Sequence, residues 1–453
     1  MKIKKFEAKG VHGYLEYDIE FKERITFLIG INGSGKTSVL KLILGLISPS
    51  FNFLNSIDFE YAKLYCSDTD IGDILIYAVK DEDENYSLTL RINETDPIIG
   101  KINKVSQIKL NEYRNDDMTE KLREIIDVFN EQEVVLKIKE LTTPLFLGLD
   151  RRVYEGQQID RMRQNYLIRR RYRHYPQSEP LNLSLIDVQE LINDYIRIIA
   201  SKQPKINQDF KNKILLQSFE FTESQDLNLV QDLNDLEEKR KQALEAFDNL
   251  KISGFNEHVN KYFDQLNSVL KQLREIQNKT GKKIESENFE IFQKWFNNQP
   301  QLKRIKELIV FNEAYQEEIK KLYQPIEKTE ILINTFFSES GKELKINPDG
   351  EIQVDFLNRK KEGKIFELSS GEKQIITMLV HLIFFAERYK KKQGIFIIDE
   401  PEVSLHLAWQ ELFTESLLES SPNTQFILAT HSPAIIGDAP EENCQDLAKL
   451  NID

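Results

Sequence analysis

Cysteine is nearly absent from this chain: of 453 residues, only Cys66 and Cys444 carry a thiol, and they stand far apart. Two distant thiols supply neither a disulfide framework nor a thiolate metal cluster, so the sequence predicts a reducing compartment. Long apolar runs are missing too, and no window approaches the roughly 18 continuous apolar residues of a membrane-crossing helix. The opening Met1-Lys2-Ile3-Lys4-Lys5-Phe6 lacks the apolar core of a secretory leader. The expected setting is the cytoplasm, with no membrane partner. Histidine is scarce, with six copies and no H-x-E or H-N-H grouping, which argues against a built-in histidine-metal nuclease. Positive charge is in deficit, 61 Lys and Arg against 74 Asp and Glu, so with a net charge of −13 the molecule as a whole should not coat nucleic acid.

What is present suits a large soluble fold. The 40% hydrophobic content fills a sizeable core, and the length allows two or three domain-sized units, or one large domain with insertions.

The stretch the rest serves is Gly30-Ile31-Asn32-Gly33-Ser34-Gly35-Lys36-Thr37. It follows the apolar run 25–29 and precedes a segment, 38–44, with helical apolar spacing. Strand, glycine turn and helix, in that order, make G-x-x-x-x-G-K-[ST] a phosphate cradle. Glycines let backbone N–H groups face the β-phosphate, Lys36 reaches the β- and γ-phosphates, and Thr37 offers its hydroxyl to Mg²⁺. The expected nucleotide-binding set is Gly30, Asn32, Gly33, Ser34, Gly35, Lys36, Thr37 and Ser38.

A second constellation lies near the other end. Gly394-Ile395-Phe396-Ile397-Ile398-Asp399-Glu400-Pro401 reads as a strand apolar on both faces that ends in two carboxylates. Such strands belong inside parallel sheets, whose carboxyl ends receive ligands. Asp399 is then placed to hold the Mg²⁺ shell, and Glu400 to accept a proton from the water attacking the γ-phosphate. Leu368-Ser369-Ser370-Gly371-Glu372-Lys373-Gln374 starts a helix with a serine cap and a glycine, a second anion-seeking helix end. Phe426–His431 is a further buried strand ending in histidine, which hydrogen-bonds the γ-phosphate or its water unless it is structural.

These four motifs together resemble the Walker A, signature, Walker B and switch-histidine motifs of ABC-type ATPases. With Asp-Glu-Pro-Glu, Leu-His and Ala-Thr-His-Ser-Pro, the version here is most similar to the SMC/RecF/OLD branch, which handles nucleic acids and does not drive transport. The resemblance implies an α/β fold: an ABC-type P-loop ATPase head, with a β-rich lobe and a parallel-sheet core, plus a large helical insertion. It implies ATP and Mg²⁺ as cofactors, and a homodimer or higher homo-oligomer. In it Ser369, Ser370, Gly371 and Glu372 of one copy close on the nucleotide of the other. Lys36, Thr37, Asp399 and Glu400 act in cis, with Glu400 and His431 catalytic. No Q-loop glutamine is evident, since Gln157 and Gln158 come late.

Only 22 residues follow His431, too few for the Toprim nuclease domain of OLD proteins. The chain is therefore similar to the ATPase subunits of two-component antiphage systems such as Septu, PARIS and retrons. That likeness implies slow ATP hydrolysis controlling a separate HNH or Toprim nuclease effector. A RecF-like repair or replication accessory that binds DNA directly is the alternative, and a scaffold that binds ATP without hydrolysing it is a third.

The chain divides into expected segments 1–150 (β-rich, with the phosphate loop), 151–340 and 341–453 (α/β, with the other motifs). In the first, strands are expected over 3–8, 15–21, 57–65, 74–80 and 86–92. The second starts with eight arginines in 23 residues, among them Arg169, Arg170, Arg171 and Arg173, interleaved with tyrosines. Nucleic acid, an acidic partner or neighbouring subunit, and a solvated loop all suit that segment. Helical apolar spacing over 227–250 and 255–276, broken by Ser253-Gly254, predicts a short antiparallel hairpin about 35 Å long.

Overall fold

The computed structural model describes residues 1–81, 85–102, 124–141, 143–149, 153–156, 180–219, 233–249, 254–280, 289–357, 361–388 and 394–449. They form two compact units, one of Met1–Tyr195 with Pro325–Asp453, the other of Ile196–Gln324. Of the arginine-rich stretch 151–173 only residues 153–156 are described, so all eight arginines, with Gln157 and Gln158, lie outside the described residues.

In the first unit the chain opens with β1 (Lys2–Val11), β2 (Leu15–Glu20) and β3 (Ile25–Ile29), followed by α1 (Lys36–Ile47) and α2 (Phe51–Ser56). Next come β4 (Tyr61–Asp68), β5 (Gly72–Lys80), β6 (Tyr86–Ile92) and β7 (Ile98–Ile102), then α3 (Glu133–Leu141), β8 (Leu145–Leu147) and β9 (Val153–Glu155). Strict alternation marks β2, whose Leu15, Tyr17 and Ile19 are buried while Glu16, Asp18 and Glu20 face solvent. That period-two pattern is what a sheet with one wet face requires. Six antiparallel strands, in the order β2-β1-β4-β5-β6-β7, make this sheet. The strands expected in this segment are all present, although β4 begins at Tyr61 rather than residue 57; α2, β7 and β9 are too short or too mixed in pattern to show in the sequence.

The helices α4 (Pro180–Ser218), α5 (Leu233–Asn249), α6 (Phe255–Thr280), α7 (Phe289–Asn297) and α8 (Gln299–Phe337) follow. The second unit contains α5, α6 and α7 whole, with parts of α4 and α8. Within it α5 and α6 form the expected antiparallel hairpin. Gly254 turns the chain at φ 87°, and Arg240 donates to Asn260 at 2.7 Å and to Asp264 at 2.9 Å, while Asn267 donates to Glu237. Leu236, Ala243, Phe263, Leu266, Leu270 and Trp295 fill this unit's core. No helix among the described residues is long and apolar enough to cross a membrane.

The rest of the first unit is β10 (Lys342–Ile346), β11 (Ile352–Phe356), β12 (Lys361–Gly363), α9 (Ser370–Arg388), β13 (Gly394–Asp399), α10 (Leu407–Ser420), β14 (Thr424–Ala429), α11 (Pro433–Ile436) and β15 (Cys444–Asp446). A three-stranded sheet, β10-β11-β12, is fastened to two helices by side-chain amides and a carboxylate. Asn334 of α8 bonds both backbone groups of Leu344, Glu330 accepts from Ile346 N, and Gln189 of α4 bonds Gly350 O and Ile352 N.

The decisive sheet has the order β15-β3-β14-β13-β8-β9 and is parallel except for the last pair. It interleaves strands from both ends of the chain, with Phe27 opposite Leu428 and Ile398 opposite both Leu428 and Leu147. Every residue of β13 and β14 is buried, which is why these strands read as unbroken apolar runs. Gln425 breaks the run. Its side chain, wholly buried, accepts from Ile3 N and donates to Ile3 O and Lys22 O, tying β14 to the antiparallel lobe. Gln425→Leu keeps the volume but strands the two buried backbone groups of Ile3 and the part-buried Lys22 O, so stability should fall by roughly 2–4 kcal/mol, seen as a lower thermal unfolding midpoint.

Candidate nucleotide-binding site

At the carboxyl end of β3 the chain turns through Gly33 (φ 88°) and Gly35 (φ 82°, ψ 16°) into α1, whose first residue is Lys36. Gly35 is irreplaceable on two counts: its left-handed φ strains any L side chain, and a Cβ there would collide with the Tyr17 hydroxyl. That hydroxyl donates to Ser34 O at 2.9 Å, and Ser34 N donates to Ile31 O, so the loop is held in shape from below. His12 Nε2 and Ser38 Oγ lie 2.8 Å apart and brace the other side. No side chain caps α1, and its first turn carries no acid. Its leading N–H groups thus remain available to an anion, with the helix dipole in favour.

From the opposite end of the chain, β13 delivers Asp399 to this loop. Thr37 Oγ1 donates to Asp399 Oδ2 at 2.9 Å, while the buried Oδ1 of Asp399 and the buried Ser34 hydroxyl have no partner among the described residues. Burial pushes the Asp399 carboxyl up to about 6; the bond from Thr37 opposes this and the charge of Glu400 adds to it. A buried carboxylate with a vacant oxygen beside a hydroxyl fits a hard divalent cation that takes its other ligands from water and phosphate. Thr37 and Asp399 are the residues that would hold Mg²⁺.

Lys36 is buried as well, and burial lowers its pKa against the opposing pull of Glu400, Asp399 and Glu402. Its ammonium donates to Gly30 O at 2.9 Å, and its Nζ lies 2.6 Å from Nε2 of His431. Glu400 sits at the start of the turn after β13 with φ 48°, a left-handed conformation costly for a residue with a side chain. Its Oε1 lies 3.9 Å from His431 Nε2. Lys36, Thr37, Asp399, Glu400 and His431, drawn from residues 36–431, therefore converge around the phosphate loop.

The signature residues do not join them. Ser369 and Ser370 are exposed at the start of α9, and among the described residues no hydrogen bond links 369–371 to the loop 30–38. Glu372 is buried and turned inward. Its Oε2 accepts from Ser369 N at 2.7 Å, a capping box, and its Oε1 pairs with Lys342 of β10 at 2.6 Å. Burial raises its pKa, but the bonds from Lys342 and Ser369 outweigh this and hold the carboxyl below its ordinary range. Gly371 is required by a close approach: a Cβ there would stand 2.5 Å from Ser404 O. Gln374 donates to Pro401 O, so α9 rests on the turn that carries Glu400.

Sequence reasoning gave no role to Lys342, Tyr17, His12 or Glu402. The first three lie outside any recognisable spacing, whereas Glu402 stands in the Asp-Glu-Pro-Glu string itself. Its carboxylate accepts from His431 N and from Thr430 Oγ1. Asp399 gives a prediction with a fixed sign. Its raised pKa means that ionisation destabilises the nucleotide-free fold above pH 6 and that this penalty is relieved as pH falls through 6. Asp399→Asn should therefore stabilise the protein at pH 7.5 by on the order of 2–3 kcal/mol, seen as a higher thermal midpoint, and flatten the dependence of that midpoint on pH between about 6 and 4.

Comparison with known proteins fits this geometry. Residues 1–436 match the family model described as an AAA ATPase domain. A retron Vc95 probable ATPase of Vibrio cholerae serotype O1 biovar El Tor is 32% identical over 126 residues, 26% of this chain and 24% of that protein. Endonuclease GajA of Bacillus cereus (strain VD045) is 26% identical over 124 residues, 27% of this chain and 21% of that one. The chain thus spans about a quarter of the length of the curated relatives it matches. Among solved structures, the Smc head domain of Pyrococcus furiosus bound to the C-terminal domain of ScpA aligns over 96% of this chain and 91% of its own, at 16% identity and TM-score 0.39. The SMC head of Thermotoga maritima aligns over the same shares at 12% identity and TM-score 0.31. Scores this low carry no conclusion. The match to the family model runs from the first strand to α11, past every motif described above, and the chain belongs to the AAA ATPase domain family.

Proposed function

We propose that this chain binds and slowly hydrolyses ATP, that ATP joins two copies, and that the joined and separate states control a distinct nuclease effector in antiphage defence. The observation that carries the chemistry is the meeting of Lys36, Thr37, Asp399, Glu400 and His431 at one loop. Backbone N–H groups of 33–38 would receive the β-phosphate, and Lys36 would leave His431 and Gly30 O to bridge β- and γ-oxygens. Mg²⁺ held by Thr37 and Asp399 supplies charge neutralisation of the phosphates. Glu400 accepts the proton of the attacking water, and His431, released by Lys36, orients that water or the γ-phosphate. Ser369 and Ser370 are exposed at the start of α9 and, among the described residues, make no hydrogen bond to the loop 30–38, which supports a signature that would act on the partner copy's nucleotide.

The similarity to a retron ATPase supports the defence setting. Glu400→Gln should lower phosphate release by about 10²–10³-fold while ATP still binds. Light scattering after gel filtration should then show an ATP-dependent doubling of mass. An unchanged mass with ATP bound refutes the joined state, and undiminished phosphate release refutes the role of Glu400.

A further inference from the structure

Three carboxylates crowd the end of β13, and two of them face the phosphate loop. The third, Glu402, is turned the other way. Its Oε1 accepts from the backbone N of His431 at 2.6 Å and its Oε2 accepts from Thr430 Oγ1 at 2.8 Å, so both oxygens are occupied. Thr430 is wholly buried; its own N donates to Leu28 O, and its hydroxyl oxygen accepts from Ser432 N.

The histidine needs such a hold. β14 ends at Ala429, and the sheet's backbone bonds end with Thr430 N, so they do not reach His431. Its ring is about one-third exposed and touches the site through Nε2 alone. Free of Glu402, residue 431 would start a loop with its amide bonded to nothing else among the described residues. The acceptor side is equally constrained. Glu402 lies in a tight turn bounded by Glu400 at φ 48° and Ser404 at φ 74°, closed by Val403 N to Glu400 O and Leu405 N to Glu402 O. Two non-glycine residues in the left-handed region persist only where surrounding contacts over-determine the backbone. Gln374 on Pro401 O and Glu402 on residues 430–431 are those contacts.

We infer that Glu402 is a positioning residue that clamps the turn carrying Glu400 to the segment carrying His431, setting the two reactive side chains 3.9 Å apart. Both of its oxygens are taken by these bonds, so it acts through the two segments it joins. The inference rests on the proposed ATPase reading for its kinetic consequence, but the clamp itself does not depend on hydrolysis.

The test compares Glu402→Ala, Glu402→Gln, His431→Ala and the double Glu402→Ala/His431→Ala in the full chain. Phosphate release gives kcat, and a fluorescent ATP analogue gives affinity. Misplacement of this order costs about 10–100-fold in rate, so Glu402→Ala should lose that much in kcat while binding the analogue within about twofold of the parent. Glutamine replaces both bonds, accepting from His431 N and donating to Thr430 Oγ1, and should restore most of the loss. In the His431→Ala background, Glu402→Ala should cost nothing further. If Glu402→Gln falls as far as Glu400→Gln, or if the two alanine losses multiply, the inference is overturned. Hydrogen–deuterium exchange of the nucleotide-free protein supplies the arm independent of turnover. The peptide containing His431 should exchange slowly in the parent and in Glu402→Gln, and fast in Glu402→Ala. Equal exchange in parent and alanine variant overturns the clamp, even where a parent without phosphate release has already refuted the ATPase reading.

Discussion

One hydrogen bond, from the Thr37 hydroxyl to Asp399, joins residues 362 positions apart, and the candidate site exists only while the sheet beneath it holds them in register. The bond lies at the mouth of three parallel strands, β3, β14 and β13, two of which arrive only after the chain has passed through a whole separate unit. Closing so long a loop costs entropy that grows slowly with length. The strands repay it through wholly apolar faces and continuous backbone pairing. Gln425, buried inside β14 and bonded to Ile3 and Lys22, makes the same connection between the two ends of the chain a second time.

The free site stores charge in an uncomfortable place. Lys36 and Asp399 are both buried; burial pulls the lysine pKa down and the aspartate pKa up, each toward neutrality. Neither is satisfied by a direct ion pair with the other. The lysine donates to backbone carbonyls and meets the His431 ring, and Asp399 Oδ1 has no hydrogen-bond partner among the described residues. A triphosphate with its cation would supply what both lack. The left-handed turn at Glu400 belongs to the same balance, strain held in place by contacts from α9 and from residues 430–431.

The signature helix shows how a surface feature can be anchored from within. Glu372 caps the start of α9 and pairs with Lys342, and the sheet carrying Lys342 is bonded to Asn334 and Glu330 of α8 and to Gln189 of α4. α4 and α8 are also the helices through which the chain leaves and re-enters this unit. The exposed serines therefore stand on a chain of polar contacts rather than on a free loop.

By itself the sequence determined the elements whose chemistry is local. The phosphate loop, the apolar strands ending in Asp399 and His431, and the Gly254 turn are each written in a short window, because glycine conformation and hydrophobic period act over a few residues. Short strands such as β9, β12 and β15, with only three residues each, carry no period to read and form because a neighbouring edge is free to accept them. Only the tertiary structure decided where the third carboxylate, Glu402, is used. Asp399, Glu400 and Glu402 are chemically alike and nearly adjacent, yet Asp399, still in β13, accepts from Thr37, while Glu402, beyond the left-handed turn at Glu400, accepts from the backbone of His431. That choice depends on bonds to residues dozens to hundreds of positions away, and no local rule of sequence contains them.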